Sequence, residues 1–323
     1  MSFKSDGLSL SGNLYVPDDY AEGDRRPAVV TSHPFGGVKE QTAGLYAQKL
    51  AAEGFVTLAF DTAYQGASEG EPRGLENPFA RAEDIRSAVT YLSTCPQVDP
   101  ERIGALGICA SGGYVPFAAT TDHRIKAVAT VSAADIGTLF RDGLGGGQDP
   151  QVLADMLDAS ARARTAEATS GVFRLDPVVP DTPREAEGAP TLYREGTDYY
   201  RTRRAQHPNS PNRYLFRSVD QIAQYSSFDL IHLIAPRPLL MIAGTEADTA
   251  YFSREAVEKA HEPKELFLGR RRHTHRPVRQ GGVRADRRGE AERLLQGALG
   301  RRLRSCIPFD LECGLIESGG RGG

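Results

Sequence analysis

The sequence predicts an α/β protein with a doubly wound, mainly parallel sheet and an inserted helical cap. Two observations carry this prediction. Apolar strands alternate with amphipathic helices from the N-terminus to the stretch "RIGALGI", and a long polar segment then separates "AVATVSAAD" from the apolar strand "RPLLMIAG". With 323 residues and 40% hydrophobic content, the chain is long enough to bury a large core. We therefore assign residues 1–133 and 231–268 to the core and 134–230 to the cap.

The first elements follow from hydrophobic periodicity. "FKSDGLSLSGNLYVP" alternates apolar and polar residues, which is typical of an antiparallel hairpin at a sheet edge. "RPAVVTS", "FVTLAFD" and "RIGALGI" are continuous apolar runs, as expected of parallel strands buried on both faces. "TAGLYAQKLAAEGF" and "ARAEDIRSAVTYL" have helical spacing, and the first of these is predicted to stop near Gly54. In the cap, "PQVLADMLDASARARTAEA" predicts a long helix.

A sheet of this kind binds its ligands beyond the carboxyl ends of its strands, where "RIGALGI" runs into "CASGGY". Gly107-Ile108-Cys109-Ala110-Ser111 has the small-x-nucleophile-x-small pattern of a sharp turn between a strand and a helix. In this register Cys109 is the nucleophile. A second register, in which Cys109 is the small residue and Ser111 the nucleophile, is also possible. The distance of two residues from Gly107 favours Cys109.

At this point the residues resemble a known family. "GICASGG", together with "HPFGG", "FDTAYQGASEG" and "VDPERIGALGICASGGY", resembles the α/β-hydrolases, and within them the dienelactone-hydrolase branch, over approximately residues 1–268. The resemblance implies the α/β-hydrolase fold, a Cys-Asp-His triad, and a small-molecule ester, thioester or lactone as substrate, with no cofactor or metal. Dienelactone hydrolase itself is compact and has no cap, so the insertion leaves the substrate class open.

The nucleophile requires an activated thiolate and donors for the oxyanion. A helix N-terminus and a nearby imidazolium are expected to lower the pKa of Cys109. The backbone N–H of Ala110 is the first oxyanion donor that we predict. In "HPFGG" the proline has no N–H, so Phe35 is the earliest second donor. His33 precedes the elbow in the chain and is interpreted as a packing residue of the turn.

The acid of the triad is expected between the nucleophile and the histidine in chain order. "RPLLMIAGTEADTAYFS" predicts a strand and a loop, and the resemblance selects Asp248, four residues after Gly244. Glu246 is the alternative acid. Within the cap, Tyr193, Tyr199 and Tyr200 are candidates for lining the pocket.

The catalytic histidine is expected after the last strand, "ELFL", where the composition changes abruptly. From residue 269 onward the chain has 13 of its 33 arginines and no lysine. His275, or alternatively His273, lies near the expected position. Permitted codons for residues 269–283, read one base later, encode "VDGATHIDLYDKEEY", which resembles the dienelactone-hydrolase branch and includes its histidine. We therefore interpret residues 269–323 as an out-of-frame, poorly ordered tail; a basic arm that binds nucleic acid and a His-x-His metal site are the alternatives.

Composition excludes several other classes of protein. The net charge of -3 and the lack of a basic patch before residue 269 argue against a nucleic-acid partner. No apolar window is long enough for a bilayer and no leader pattern opens the chain, which predicts a cytoplasmic protein without a membrane partner. The four cysteines lack paired spacing. An acyltransferase with the same triad, or a ligand-binding protein that lacks the histidine, are the alternatives to a hydrolase.

Overall fold

The structure is a computed structural model that describes residues 1–269. Its centre is an eight-stranded sheet with the strand order β1-β2-β4-β3-β5-β6-β9-β10, and a separate two-stranded sheet pairs β7 with β8. The strands are Ser2–Ser5 (β1), Leu8–Tyr15 (β2), Arg26–Ser32 (β3), Val56–Phe60 (β4), Val98–Ile108 (β5), Ile125–Val131 (β6), Leu175–Pro177 (β7), Arg213–Leu215 (β8), Leu239–Gly244 (β9) and Lys264–Gly269 (β10).

The prediction of a mainly parallel sheet with an antiparallel edge is confirmed. Strands β4, β3, β5, β6, β9 and β10 are parallel to one another. The hairpin of β1 and β2 joins one edge in antiparallel orientation. Since parallel strands share one direction, their carboxyl ends open on a single edge of the sheet. Cys109 and Asp248 both follow strands at that edge, after β5 and β9.

Helices cover both faces of the sheet. Val30 packs in one apolar cluster with helices Pro78–Thr94 (α2) and Ser111–Thr121 (α3). Its neighbour Val29 packs in a second cluster with helix Gly44–Ala52 (α1), because successive side chains of a strand point to opposite faces. None of the helices in residues 1–269 has the length and apolar character needed to span a membrane. The helices are Gly44–Ala52 (α1), Pro78–Thr94 (α2), Ser111–Thr121 (α3), Ile136–Asp142 (α4), Pro150–Ser170 (α5), Thr191–Tyr200 (α6), Val219–Ile222 (α7) and Ala250–Lys259 (α8).

The segment between β6 and β9 contains α4 to α7 and the antiparallel pair of β7 and β8. The predicted long helix is confirmed as α5, which begins after Asp149, whose carboxylate accepts a hydrogen bond from Gln151 N–H at 2.9 Å. Several hydrogen bonds tie the segment to the core, two of them at the loop after β3. Ser210 Oγ donates to the Gly36 carbonyl at 2.8 Å, and Gln41 Nε2 donates to the Ala205 carbonyl at 2.8 Å. The segment is thereby held against the loop that follows β3.

Candidate active site

Cys109 occupies the sharp turn between β5 and α3. Its φ of 55° lies in the left-handed region, which residues other than glycine rarely adopt. The turn is closed by hydrogen bonds from Cys109 N–H to the Val131 carbonyl at 3.0 Å and from Gly112 N–H to the Cys109 carbonyl at 2.8 Å. A Cβ atom on Gly107 would lie 1.9 Å from the Ser111 carbonyl oxygen. The elbow therefore requires glycine two residues before Cys109.

Ser111, the alternative nucleophile, is in a different environment. It is the first residue of α3 and is fully buried. Its hydroxyl donates to the His33 carbonyl at 2.5 Å and lies 2.9 Å from Ser32 Oγ. The described residues that line the cavity at this edge include Cys109 but not Ser111. Ser111 holds the elbow against the turn after β3.

A cavity of about 260 Å³ opens beside Cys109 at the carboxyl edge of the sheet. The "HPFGG" turn and the elbow form its base, and α4, α6 and the paired strands β7 and β8 contribute to its walls. Of the three tyrosines proposed to line it, Tyr193 and Tyr200 do so. Tyr199 is buried behind the wall, where it packs edge-on against Tyr200 with ring centroids 4.9 Å apart.

The two predicted oxyanion donors, Phe35 and Ala110, both line the cavity together with Cys109. Gly36 continues the turn with a φ of 65°, and a Cβ atom there would lie 2.7 Å from Val178 Cγ2 of the inserted segment. Gly37 N–H donates to the Pro34 carbonyl at 3.0 Å, which closes the turn. The backbone can therefore approach a bound substrate closely.

A buried ionic network supports this turn. Arg81 NH2 donates to the His33 carbonyl at 2.9 Å and to the Pro34 carbonyl at 3.3 Å. Its Nε lies 3.2 Å from Glu76 Oε1, which accepts a hydrogen bond from Tyr114 OH at 2.8 Å. Burial, followed by the charge of Arg81, holds the pKa of His33 well below its usual range. His33 is thus a packing residue, as its place in the chain predicts.

This network is not evident from the sequence alone. The signal was present in "LENPFAR", where a glutamate and an arginine flank the start of α2. Their pairing with a turn more than forty residues earlier in the chain depends on how α2 packs on the sheet, which the local pattern does not reveal.

The Cys109 thiol is enclosed by protein, although a part of its surface faces the cavity. Burial raises its pKa to about 11, and the backbone N–H of Ala110 and the charge of Arg81 act in the opposite direction. The expected lowering of this pKa is therefore not found in the described part of the chain. None of the five histidines in residues 1–269 lines the cavity. No imidazolium therefore lowers the pKa of Cys109 there, and the effect of burial exceeds that of Ala110 and Arg81.

Asp248 lies in the loop between β9 and α8 and is half-buried. Its Oδ2 accepts a hydrogen bond from the Leu192 backbone N–H at 2.9 Å, in the first turn of α6. Glu246, the alternative acid, is exposed to solvent. The loop expected to carry the histidine follows β10, so His273 and His275 lie outside the described residues.

Two further observations concern other polar residues. Cys95 is buried, and its Sγ donates to the Tyr91 carbonyl at 3.4 Å. Within residues 1–269, no group of three or more histidine, cysteine, aspartate or glutamate side chains is arranged to hold a metal ion.

Comparison with known proteins shows a matching family and several similar proteins. A family model described as X-Pro dipeptidyl-peptidase (S15 family) matches residues 6–275. The uncharacterized protein YcjY of Escherichia coli is 42% identical over 253 residues, which cover 78% of this chain and 82% of the relative. The fungal thiohydrolase aneE of Aspergillus aculeatus is 36% identical over 177 residues, or 54% of this chain and 52% of the relative.

A solved structure is similar in both sequence and fold. The crystal structure of the hypothetical protein PA2218 of Pseudomonas aeruginosa superposes with a TM-score of 0.79 and 36% identity, covering 84% of each chain. The elbow, the turn after β3 and the inserted segment all lie within the residues that the family model matches.

Proposed function

The chain belongs to the X-Pro dipeptidyl-peptidase (S15) family of α/β-hydrolases, and from this premise we propose that it hydrolyses a carboxylic ester, thioester or lactone through Cys109. The observation that carries the proposal is the position of Cys109 in a left-handed turn before α3, at a mainly apolar cavity that Phe35 and Ala110 also line. This resembles the cysteine elbow of the dienelactone-hydrolase branch. A relative described as a thiohydrolase supports acyl chemistry on this fold.

The reaction proceeds in two steps. A histidine held by Asp248 takes the proton of the Cys109 thiol, and the thiolate attacks the substrate carbonyl carbon. The N–H groups of Phe35 and Ala110 hold the oxyanion. The histidine then protonates the leaving alcohol or thiol, so that a thioester to Cys109 remains. Water, deprotonated by the same histidine, attacks this thioester, and its collapse releases the carboxylic acid and the thiol.

The histidine is essential because the thiol is not ionised without it. With a pKa of about 11, only about one thiol in 10⁴ is a thiolate at neutral pH. We propose His275, or alternatively His273, as the base if the sequence from residue 269 onward is correct in frame. The composition of that segment and the alternative reading frame support instead a frameshift, in which the histidine codon overlaps those of Thr274 and His275. The chain as written is then a poor enzyme.

The experiment uses two versions of the full chain, one as written and one with the frame restored after Leu268. We expect the frame-restored chain to hydrolyse a small aryl ester or thioester and its Cys109→Ala variant to be inactive. Full activity of the Cys109→Ala variant would refute the proposal. Full activity of the chain as written would instead make His275 the base.

Acyl transfer is the second candidate function. The cavity is lined mainly by apolar side chains, which disfavours water as an acceptor. Product analysis with and without an added alcohol or thiol distinguishes the two reactions, since a transferase forms a new ester or thioester only when the acceptor is present. A Cys109 that reacts with iodoacetamide, in a frame-restored chain without turnover, would indicate a ligand-binding protein.

A further inference from the structure

Arg201 is the only charged residue among the described residues that line the cavity. It lies directly after α6, and its backbone N–H donates to the Thr197 carbonyl at 2.9 Å. The partial negative charge at a helix C-terminus favours a cation at this position. The cavity that contains the Cys109 thiol therefore carries a single positive charge.

Three other polar side chains in the cavity wall have partners within the protein. Ser210 Oγ donates to the Gly36 carbonyl. Asn212 Nδ2 donates to the Val179 carbonyl and to Asp181 Oδ1, both at 2.8 Å, while its Oδ1 accepts from Val179 N–H at 3.0 Å. Tyr200 OH lies 3.2 Å from Thr42 Oγ1. These groups hold the wall together and do not require a ligand.

Arg201 differs from them. Its Nε is buried, and within residues 1–269 it has no hydrogen-bond acceptor. The charge of Arg201 helps to lower the pKa of Asp181. The two Asp181 oxygens, however, accept hydrogen bonds from Arg213, NH1 at 2.8 Å and NH2 at 2.7 Å. Hydrogen bonds from Arg213 and Asn212 lower the pKa of Asp181 to about 2, so this acid remains ionised and bound to Arg213.

A guanidinium cation in the wall of a mainly apolar cavity is incompletely solvated, and an anionic ligand bound in that cavity would offset this cost. We propose that Arg201 binds an anionic group, a carboxylate, on the acyl part of the substrate. This inference rests on the proposed function, since it assigns the class of substrate to the same site. It also argues against release of N-terminal dipeptides, because a substrate with a cationic α-amino group would meet a positively charged cavity.

The test compares two acyl substrates that differ in charge. These are 4-nitrophenyl hydrogen adipate and its uncharged methyl ester, with non-enzymatic hydrolysis subtracted. In the frame-restored chain we expect kcat/KM to be about tenfold higher for the anionic ester, as for one charge-assisted hydrogen bond. Arg201→Gln should remove this preference, and Arg201→Lys should retain part of it. Arg203→Gln, at an exposed position of the same segment, is the matched control.

If Arg201→Gln keeps the preference for the anionic ester, or if the parent has no such preference, the inference about Arg201 is wrong. The proposed hydrolase function would not be affected by either result. If neither ester is turned over, the proposed function fails. Anion binding by Arg201 is then tested by a measurement that does not require turnover. Adipate should slow the carbamidomethylation of Cys109 by iodoacetamide several-fold at pH 9, followed on the Cys109 peptide by mass spectrometry. Arg201→Gln should abolish this protection, Arg203→Gln should keep it, and adipamide should give none. Equal protection by adipate in the parent and Arg201→Gln, or no protection in the parent, would refute the inference.

Discussion

The Asp248 carboxylate accepts a hydrogen bond from the backbone N–H of Leu192, with 2.9 Å between Oδ2 and N. Leu192 belongs to the first turn of α6 and lines the cavity. The proposed acid of the triad is therefore also a contact between the core and the wall of the substrate cavity. A substitution at Asp248 has to separate these two roles.

We predict that Asp248→Asn in the frame-restored chain lowers kcat by about 10³–10⁴-fold, as when a triad acid no longer orients its histidine. Asparagine keeps an oxygen for the Leu192 N–H, so the free energy of unfolding should change little. Asp248→Ala should lose both the activity and the contact. Steady-state kinetics and urea denaturation of the two variants separate the effects.

Glu246→Gln is the matched control for this prediction, because Glu246 lies two residues away and is exposed. It should retain most of the activity. If Asp248→Asn is fully active and Glu246→Gln is not, then Glu246 is the acid.

The second prediction concerns the register of the elbow. Cys109→Ser and Cys109→Ala should abolish turnover of an aryl ester in the frame-restored chain. Ser111→Ala should keep much of it and should mainly lower stability, because Ser111 lies under the turn and hydrogen-bonds to the His33 carbonyl. An inactive Ser111→Ala variant beside an active Cys109→Ala variant would move the nucleophile to Ser111.

Close packing around Gly107 leads to a third prediction. Gly107→Ala would place a methyl group 1.9 Å from the Ser111 carbonyl oxygen, so the elbow must shift. We expect a loss of about 3 kcal/mol or more in the free energy of unfolding. Gly23→Ala is the control, since its φ is 93° but no atom lies within 4 Å, and it should cost about 1 kcal/mol through the backbone alone. Equal losses in the two variants would contradict the steric explanation.

The fourth prediction concerns Asp84, which is buried in α2 and should make the free energy of unfolding depend on pH. Burial raises the pKa of Asp84 to about 6, while its Oδ2 accepts a hydrogen bond from Ala63 N–H at 2.8 Å. Since the folded pKa is above the usual value of 3.8, this group's contribution to stability is fully present below pH 3.8 and is lost as the pH rises through 6. The change amounts to about 3 kcal/mol.

Asp84→Asn keeps the acceptor for Ala63 and removes this titration. Relative to the parent, the variant should gain up to about 3 kcal/mol in the free energy of unfolding between pH 4 and pH 7. Urea denaturation at several pH values measures the difference. Asp158 lies on the exposed face of α5, so the free energy of unfolding of Asp158→Asn should depend on pH in the same way as that of the parent. A constant difference between Asp84→Asn and the parent across this range would show that Asp84 does not titrate in it.

The last prediction concerns the reading frame. Resequencing of the gene across the codons for Leu268 to Gly300 should reveal a missing or additional base. Restoring the frame should add a closing helix and increase the free energy of unfolding as well as the activity. An unambiguous read of the sequence as given, with full esterase activity, would exclude the frameshift.

Local pattern was sufficient for much of the fold. Continuous apolar runs predicted the parallel strands, alternation predicted the hairpin of β1 and β2, and helical spacing predicted α2 and α5. The elbow was also predictable, because Gly107 and Cys109 are two residues apart in one strand-to-helix turn and the requirement for a small residue is local. These features depend on residues that are close together in the chain, so the local sequence pattern is sufficient to predict them.

The remaining properties of the site depend on residues that are distant in the chain. Arg81 and Glu76 support the turn after β3 only because α2 packs against the sheet, and Asp248 bonds to Leu192 only because the inserted segment lies over the strand ends. The pKa of Cys109 is raised because that packing removes water from the thiol, against the local effect of Ala110 N–H. Arg201 faces the same cavity from a position 92 residues later in the chain than Cys109 (201 − 109). The sequence by itself determined which residue stands at the elbow, whereas the tertiary structure decided its solvation and its charged neighbours, because electrostatic free energy depends on distance in space.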